Sequence, residues 1–163
     1  MRKQLTIAFV VAAFLSPISY ASIVDISWSN ADKYRDLKSV TETKAKIQKR
    51  FFKEIHAHLN ELGTSLPHKF TLSIDVTQVD LAGRIDMVNG QQIRIVRDMY
   101  YPNMILTYRL KDAEGKVIQS QESKLKGRNF LRQANRLDDD AFKHEKYMIT
   151  DWFEKEFATV INK

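Results

Sequence analysis

The sequence predicts an α+β fold: one antiparallel or mixed sheet of about five strands, with two long amphipathic helices on one face. Three observations predict it. Two segments carry apolar residues at helical spacing. Five shorter segments read as strands between turn signals. Their order, β-α-β-β-β-β-α, buries every apolar face when both helices cover one side of one sheet.

The elements follow in chain order. Ile23 to Trp28 is a short strand with Val24, Ile26 and Trp28 on one face. Asn30 to Lys38 is polar and reads as a loop. Ser39-Val40-Thr41-Glu42 has the form of a capping box, in which a hydroxyl accepts a free backbone N–H and the glutamate reaches back. The helix expected after it carries Val40, Ile47, Phe51, Ile55, Leu59 and Leu62 as its stripe and stops at Gly63. Lys46, Lys49, Arg50 and Lys53 form its solvated face.

Phe70, Leu72, Ile74 and Val76 alternate as a strand with one buried face. Val79 and Leu81 then take the opposite parity, and Gly83 follows. That change predicts a β-bulge or a strand end. Gln91 to Arg97 is a weaker strand. Met104, Leu106, Tyr108 and Leu110 alternate again. Asp112 to Gly115 is a turn, and Lys116 to Leu125 returns antiparallel. This last strand is mostly polar, which predicts a sheet edge or an exposed face. Gly127 to Leu137 is a basic loop. Asp138, Asp139 and Asp140 sit where a helix dipole favours acids. Phe142, Ile149, Trp152, Phe153, Phe157 and Val160 then form the stripe of a second long helix.

The chain has 163 residues, and its first 21 have the form of a secretory signal peptide. Arg2 and Lys3 precede an apolar run from Leu5 to Leu15, and Ser19-Tyr20-Ala21 offers a small-x-small cleavage pattern. The run is about half the ~20 residues that span a bilayer, so we expect cleavage and no remaining membrane anchor. Residues 22–163 are expected to fold as one domain in the periplasm. The net charge of +6 falls to +4 without Arg2 and Lys3, a mild excess that is weak evidence for any polyanion partner, and no nucleic-acid partner is expected of a secreted protein. Cysteine is absent, which removes disulfides, thiolate metal sites, a cysteine nucleophile and a lipidated N-terminal cysteine from consideration.

Few catalytic patterns are present. The five glycines form no G-x-G-x-x-G and no P-loop, and no serine lies in G-x-S-x-G. His144-Glu145-Lys146-Tyr147-Met148 opens like a zinc-protease motif, but Met148 replaces the second histidine. His56 and His58 point to different sides of a helix, and His58 reads as a hydrogen-bonded core residue. No cofactor or metal is therefore expected.

Asp75, Asp80 and Asp86 are acidic candidates around the parity change, with Glu145 a possible second acid. A convergent pair would permit acid–base chemistry, whereas Asp80 alone reads as a turn residue. Lys124, Lys126, Arg128, Arg132 and Arg136 give the basic loop a chemistry suited to phosphate or carboxylate. Phe130 is its single aromatic, too few to stack nucleic-acid bases. Trp28, Tyr100, Tyr101 and Trp152 are aromatics for a pocket or, more simply, for the core.

Several segments together resemble a known family. They are Val79-Asp80-Leu81-Ala82-Gly83, Trp28 with Tyr34-Arg35-Asp36, Leu66-Pro67, Tyr101-Pro102, Asp112 to Gly115, Asn129-Phe130, and Glu145 through Trp152 to Phe157. The chain resembles a family of secreted proteobacterial proteins catalogued as a domain of unknown function. His68-Lys69 stand where that family usually has Gly-Gln. The resemblance implies secretion and a single domain, and brings no activity.

The residues thus point first to a non-enzymatic periplasmic interaction module, its partner an envelope protein or an anionic envelope component. Asp80, Arg128, Asn129, Glu145 and Trp152 are its candidate binding residues. The alternatives are a carboxylate-dependent hydrolase acting on an envelope glycan or ester, and a binder of anionic polymer through the basic loop.

Overall fold

A computed structural model describes residues 23–34, 36–133 and 140–162. Residues 1–22, with the expected signal peptide, Arg35, Arg136 and the pair Asp138-Asp139 lie outside the described residues. The expected class holds. Strands β1 (Ile23–Trp28), β2 (Thr71–Asp80), β5 (Asn103–Lys111) and β6 (Val117–Lys126) form a mixed sheet in the order β1-β2-β5-β6. The β1–β2 pair is parallel and the other two pairs are antiparallel. The long helices α1 (Lys44–Gly63) and α3 (Lys143–Glu156) flank the same apolar core. Two four-residue helices, α2 (Phe130–Gln133) and α4 (Ala158–Ile161), precede and follow α3.

Helix α1 buries Ile47, Phe51, Ile55 and Leu59, an uninterrupted i, i+4 series on one face. It begins later than the sequence pattern suggests. Ser39 Oγ accepts the N–H groups of Thr41 and Glu42, closing a turn before the helix. Thr43 is the N-cap, and its hydroxyl accepts from Lys46 N. Val40 therefore precedes the helix and is 41% exposed instead of joining the stripe. Thr64 and Ser65 close the other end by donating their hydroxyls to the Glu61 and Leu62 carbonyls.

The sheet has four strands, and the expected strand at 91–97 stands apart from it. Strand β3 (Arg84–Val88) pairs with β4 (Gln91–Ile95) in a separate two-stranded hairpin. Asn89 (φ 50°) and Gly90 (φ 78°) turn it, both in the left-handed region that a two-residue hairpin turn requires.

The parity change in β2 is a bulge. Pairing with β5 runs regularly to Val76, skips Thr77 and resumes at Gln78. One extra residue moves the buried positions from Leu72, Ile74 and Val76 to Val79 and Leu81.

The polar strand β6 is indeed an edge, and its inner face is polar for a reason. Gln119 and Gln121 donate to Glu156 Oε1 at the end of α3, and the Tyr108 hydroxyl donates to the same oxygen. Farther along, Ser123 and Leu125 are buried. The second long helix is also interrupted. Phe157 leaves helical geometry (φ −105°, ψ 11°) while staying fully buried against Tyr108, Trp152 and Phe153.

Trp28 stacks on Phe52 at 4.2 Å, and Phe51 meets Phe142 edge to face at 5.0 Å. These contacts join β1, α1 and the approach to α3. Phe51→Ala is expected to lower unfolding free energy by about 3–5 kcal/mol. Val40→Ala should change it by less than about 0.5 kcal/mol. Urea denaturation of the two variants tests the helix register directly.

Candidate functional site

The end of β6, the start of the basic loop and α3 enclose a groove of about 400 Å3. Lys124, Lys126, Arg128, Asn129, Tyr147, Asp151, Trp152 and Lys155 line it. Two anchors hold the loop there. Gly127 donates its N–H to the Pro102 carbonyl, and a Cβ at Gly127 would stand 2.8 Å from Pro102 Cγ. Phe130 is buried and meets the His144 ring edge to face at 4.7 Å. Phe130 is thus an anchor instead of an exposed aromatic. Between the two anchors, Arg128 and Asn129 are exposed.

Four cations line this groove against one acid, Asp151, which is already paired with Lys155 at 2.7 Å. Lys124 lies 3.5 Å from Glu122 on its own strand. Trp152 forms part of the wall, packed against Tyr108 and Phe157, and its buried indole N–H has no acceptor among the described residues.

The groove therefore unites Arg128, Asn129 and Trp152, three of the five residues the sequence singles out. Asp80 is elsewhere. It accepts from the Asn103 side-chain amide at 2.7 Å and lines a cleft with Lys33 and Tyr34. The Tyr34 hydroxyl donates to the Val76 carbonyl at 2.6 Å, and burial, with Asp75 nearby, pushes it up to about 12. Asp75 Oδ1 accepts from the hydroxyls of Ser27 and Ser29 on and after β1. Asp86 pairs with Arg84.

Glu145 is in a third place. Its Oε1 accepts the Ala82 N–H at 2.7 Å, so α3 grips the turn that follows β2. Arg94 of β4 holds the same turn from the other side. Its guanidinium donates to the Ala82 and Gly83 carbonyls and to Asp36 Oδ2, each at 3.1 Å, and to the Lys38 carbonyl at 2.9 Å. Gly83 (φ 82°) donates its N–H to the Tyr100 carbonyl, and a Cβ there would stand 2.8 Å from the Ile95 carbonyl oxygen. The Val79–Gly83 segment is thus the junction of β2, the hairpin, the 36–38 loop and α3.

Burial pushes the Glu145 carboxyl well above the usual glutamate range, against the Ala82 N–H, which favours its charge. Burial also raises Asp36, with Arg94 opposing it. Asp75, Asp80 and Glu145 line three different clefts.

The expected core histidine is found. His58 Nε2 lies 2.8 Å from Thr150 Oγ1 and 3.1 Å from the Lys146 carbonyl, and burial holds its pKa below the usual histidine value. Lys146 bridges Asp140 (2.6 Å) and Glu54 (3.0 Å) beside it. Among the described residues, no three His, Asp or Glu side chains form a metal-ligand set. None of the described helices is long and apolar enough to cross a membrane.

The folded chain holds the Glu145 proton more tightly than the unfolded chain does. Its contribution to stability is fully present below the ordinary glutamate pKa and is lost as pH rises through the raised value. Glu145→Gln keeps an acceptor for Ala82 and removes this titration. It should be as stable as wild type or more so at neutral pH, with a flatter pH profile above the ordinary glutamate pKa. Glu145→Ala orphans the Ala82 N–H and should cost about 1–3 kcal/mol. Urea unfolding of both variants across that pH range checks the sign.

No curated protein matches the sequence significantly. Among solved structures, a variant of the PelC dodecamer from Paraburkholderia phytofirmans is 15% identical, with a TM-score of 0.37. That match covers 87% of this chain and 86% of the other. A minor lipoprotein from Acinetobacter baumannii is 13% identical with a TM-score of 0.27, covering 88% and 94%. Neither likeness bears on function. The family described as a protein of unknown function, DUF3016, matches residues 22–155, and the chain belongs to that family.

Proposed function

We propose that the protein is a non-enzymatic interaction module of the bacterial periplasm. Residues 1–21 direct its export and are removed, and residues 22–163 act as one domain. Its working surface is the free edge of β6 with the adjoining basic groove, and its partner is an extended acidic segment of an envelope protein.

The observation that carries this reading is the meeting of a ten-residue strand edge, unpaired among the described residues, with four clustered cations near its end. An edge strand offers backbone N–H and C=O groups to an added strand. Lys124, Lys126 and Arg128 supply the charge that selects an acidic one. Trp152 gives the groove an apolar wall. The same cations favour a second reading, in which the ligand is an anionic envelope polymer. The hydrolase alternative has less support, because its candidate carboxylates line separate clefts and each accepts a hydrogen bond that holds the fold together.

A fluorescein-labelled octapeptide of alternating Glu and Val tests the reading, with a Lys-Val peptide and polyglutamate as comparisons. The mature chain should bind the Glu-Val peptide, and Arg128→Glu should weaken it by about tenfold, roughly 1.4 kcal/mol. High salt should weaken it as well. Equal binding of the Glu-Val and Lys-Val peptides, or indifference to Arg128→Glu, removes this reading. Preference for polyglutamate moves the assignment to the polymer. Export is tested separately, by intact mass of the periplasmic product, which should begin at Ser22.

A further inference from the structure

A second cleft, of about 540 Å3, opens at α3's first turn and shares no lining residue with the basic groove. Its walls are the 38–41 loop, the face of α1 at Ile47 and Arg50, strand β4 with Val96, and residues 140–145. Its volume lies within the range of small-molecule pockets. We propose that this cleft binds a small organic carboxylate with an apolar body.

Three cations give the cleft its charge. Arg50 donates to Glu42 at 2.7 Å and lies over the Phe142 ring at 4.9 Å, and its buried Nε–H has no acceptor among the described residues. That N–H is closed to the cleft, but the Arg50 side chain as a whole is 41% exposed, and its open end can meet a bound carboxylate. Lys38 and Lys143 line the same cleft, and their ammonium groups enter none of the ion pairs between described residues. Arg94 also lines it, but its donors are engaged by Asp36 and by backbone carbonyls.

The acids of the cleft are occupied. Asp140 bonds Lys146 and the Phe142 N–H, and Glu145 accepts from Ala82. Burial also favours the neutral form of Glu145, which lowers repulsion toward an incoming anion. His144 lines the wall as well, and burial holds it toward its neutral form. Val40, Ile47, Leu81, Ile93, Val96 and Phe142 form an apolar wall. An inorganic anion would leave that wall unused. Val40, Ile93 and Val96 are exposed large apolar side chains, and a ligand seated here takes them out of water.

Octanoate, 1-octanol and inorganic phosphate are the probes, with binding followed by 1H–15N NMR of the mature chain. Octanoate should give saturable shifts at the Arg50 Nε–H and at Val96, with octanol and phosphate at least about tenfold weaker. Lys38 is exposed and Lys143 half-buried, and Lys38→Gln and Lys143→Gln should each weaken octanoate at least about threefold. Arg50→Gln should weaken it further. The proposal fails if octanoate gives no saturable shift, if phosphate or octanol binds equally well, or if both lysine variants bind like wild type. Because the basic groove is separate, either outcome leaves the peptide result standing on its own.

Discussion

Glu145 and Arg94 close on one short turn from two sides, and the architecture depends on that closure. The turn at Leu81-Ala82-Gly83 ends the long strand β2 beyond its bulge. Glu145 takes the Ala82 N–H, while Arg94 takes the Ala82 and Gly83 carbonyls. A buried peptide whose donor and acceptors are all satisfied can sit between sheet and helix without a desolvation penalty. The second pair of strands leaves the body at this point, and the 36–38 loop is tied to the same guanidinium. One arginine thus joins three segments distant in sequence, and one buried acid ties them to α3.

The broad plan was legible because it rests on period. The strands at 23–28, 71–80 and 103–111 and the helical stripe from Ile47 to Leu59 each bury one side, and the spacing of apolar residues reports that directly, whereas the strand at 117–126 was legible from the turn before it. The bulge was legible for the same reason: an inserted residue must change parity. The separate hairpin was hidden. Asn89-Gly90 carries its turn signal, but Arg84 to Val88 leaves Met87 and Val88 in water, so no apolar face marks the strand. The capping box misled by one turn, because Ser39 and Thr43 both have a hydroxyl in reach of free N–H groups, and only the second begins the helix.

The candidate site was legible in part. Arg128 and Asn129 stood out by composition and position, and Trp152 by its place on a stripe. Their convergence depends on Gly127 packing against Pro102 and on Phe130 reaching His144, contacts that no local pattern announces. Glu145 stood out as an acid, but its bond to a backbone N–H 63 positions away has no local signal. Arg94 carried no signal at all, since its acceptors are mostly main-chain carbonyls and any residue type can provide those. Arg50 was read as part of a solvated face, which overlooked its contact with Phe142.

The parallel pairing of β1 with β2 constrains the order in which the sheet is built. Ser27 and Asp75 bond across 48 positions, with the whole of α1 between them. Strand β2 in turn pairs with β5 across the intervening hairpin. Among the described strands, the only neighbours in the main sheet joined by a short turn are β5 and β6, at residues 103–126. Loop closure therefore delays the first strand until much later residues are present. A chain threaded head first through a narrow channel would emerge with its early segments unable to lock, and its tail would set the moment of folding.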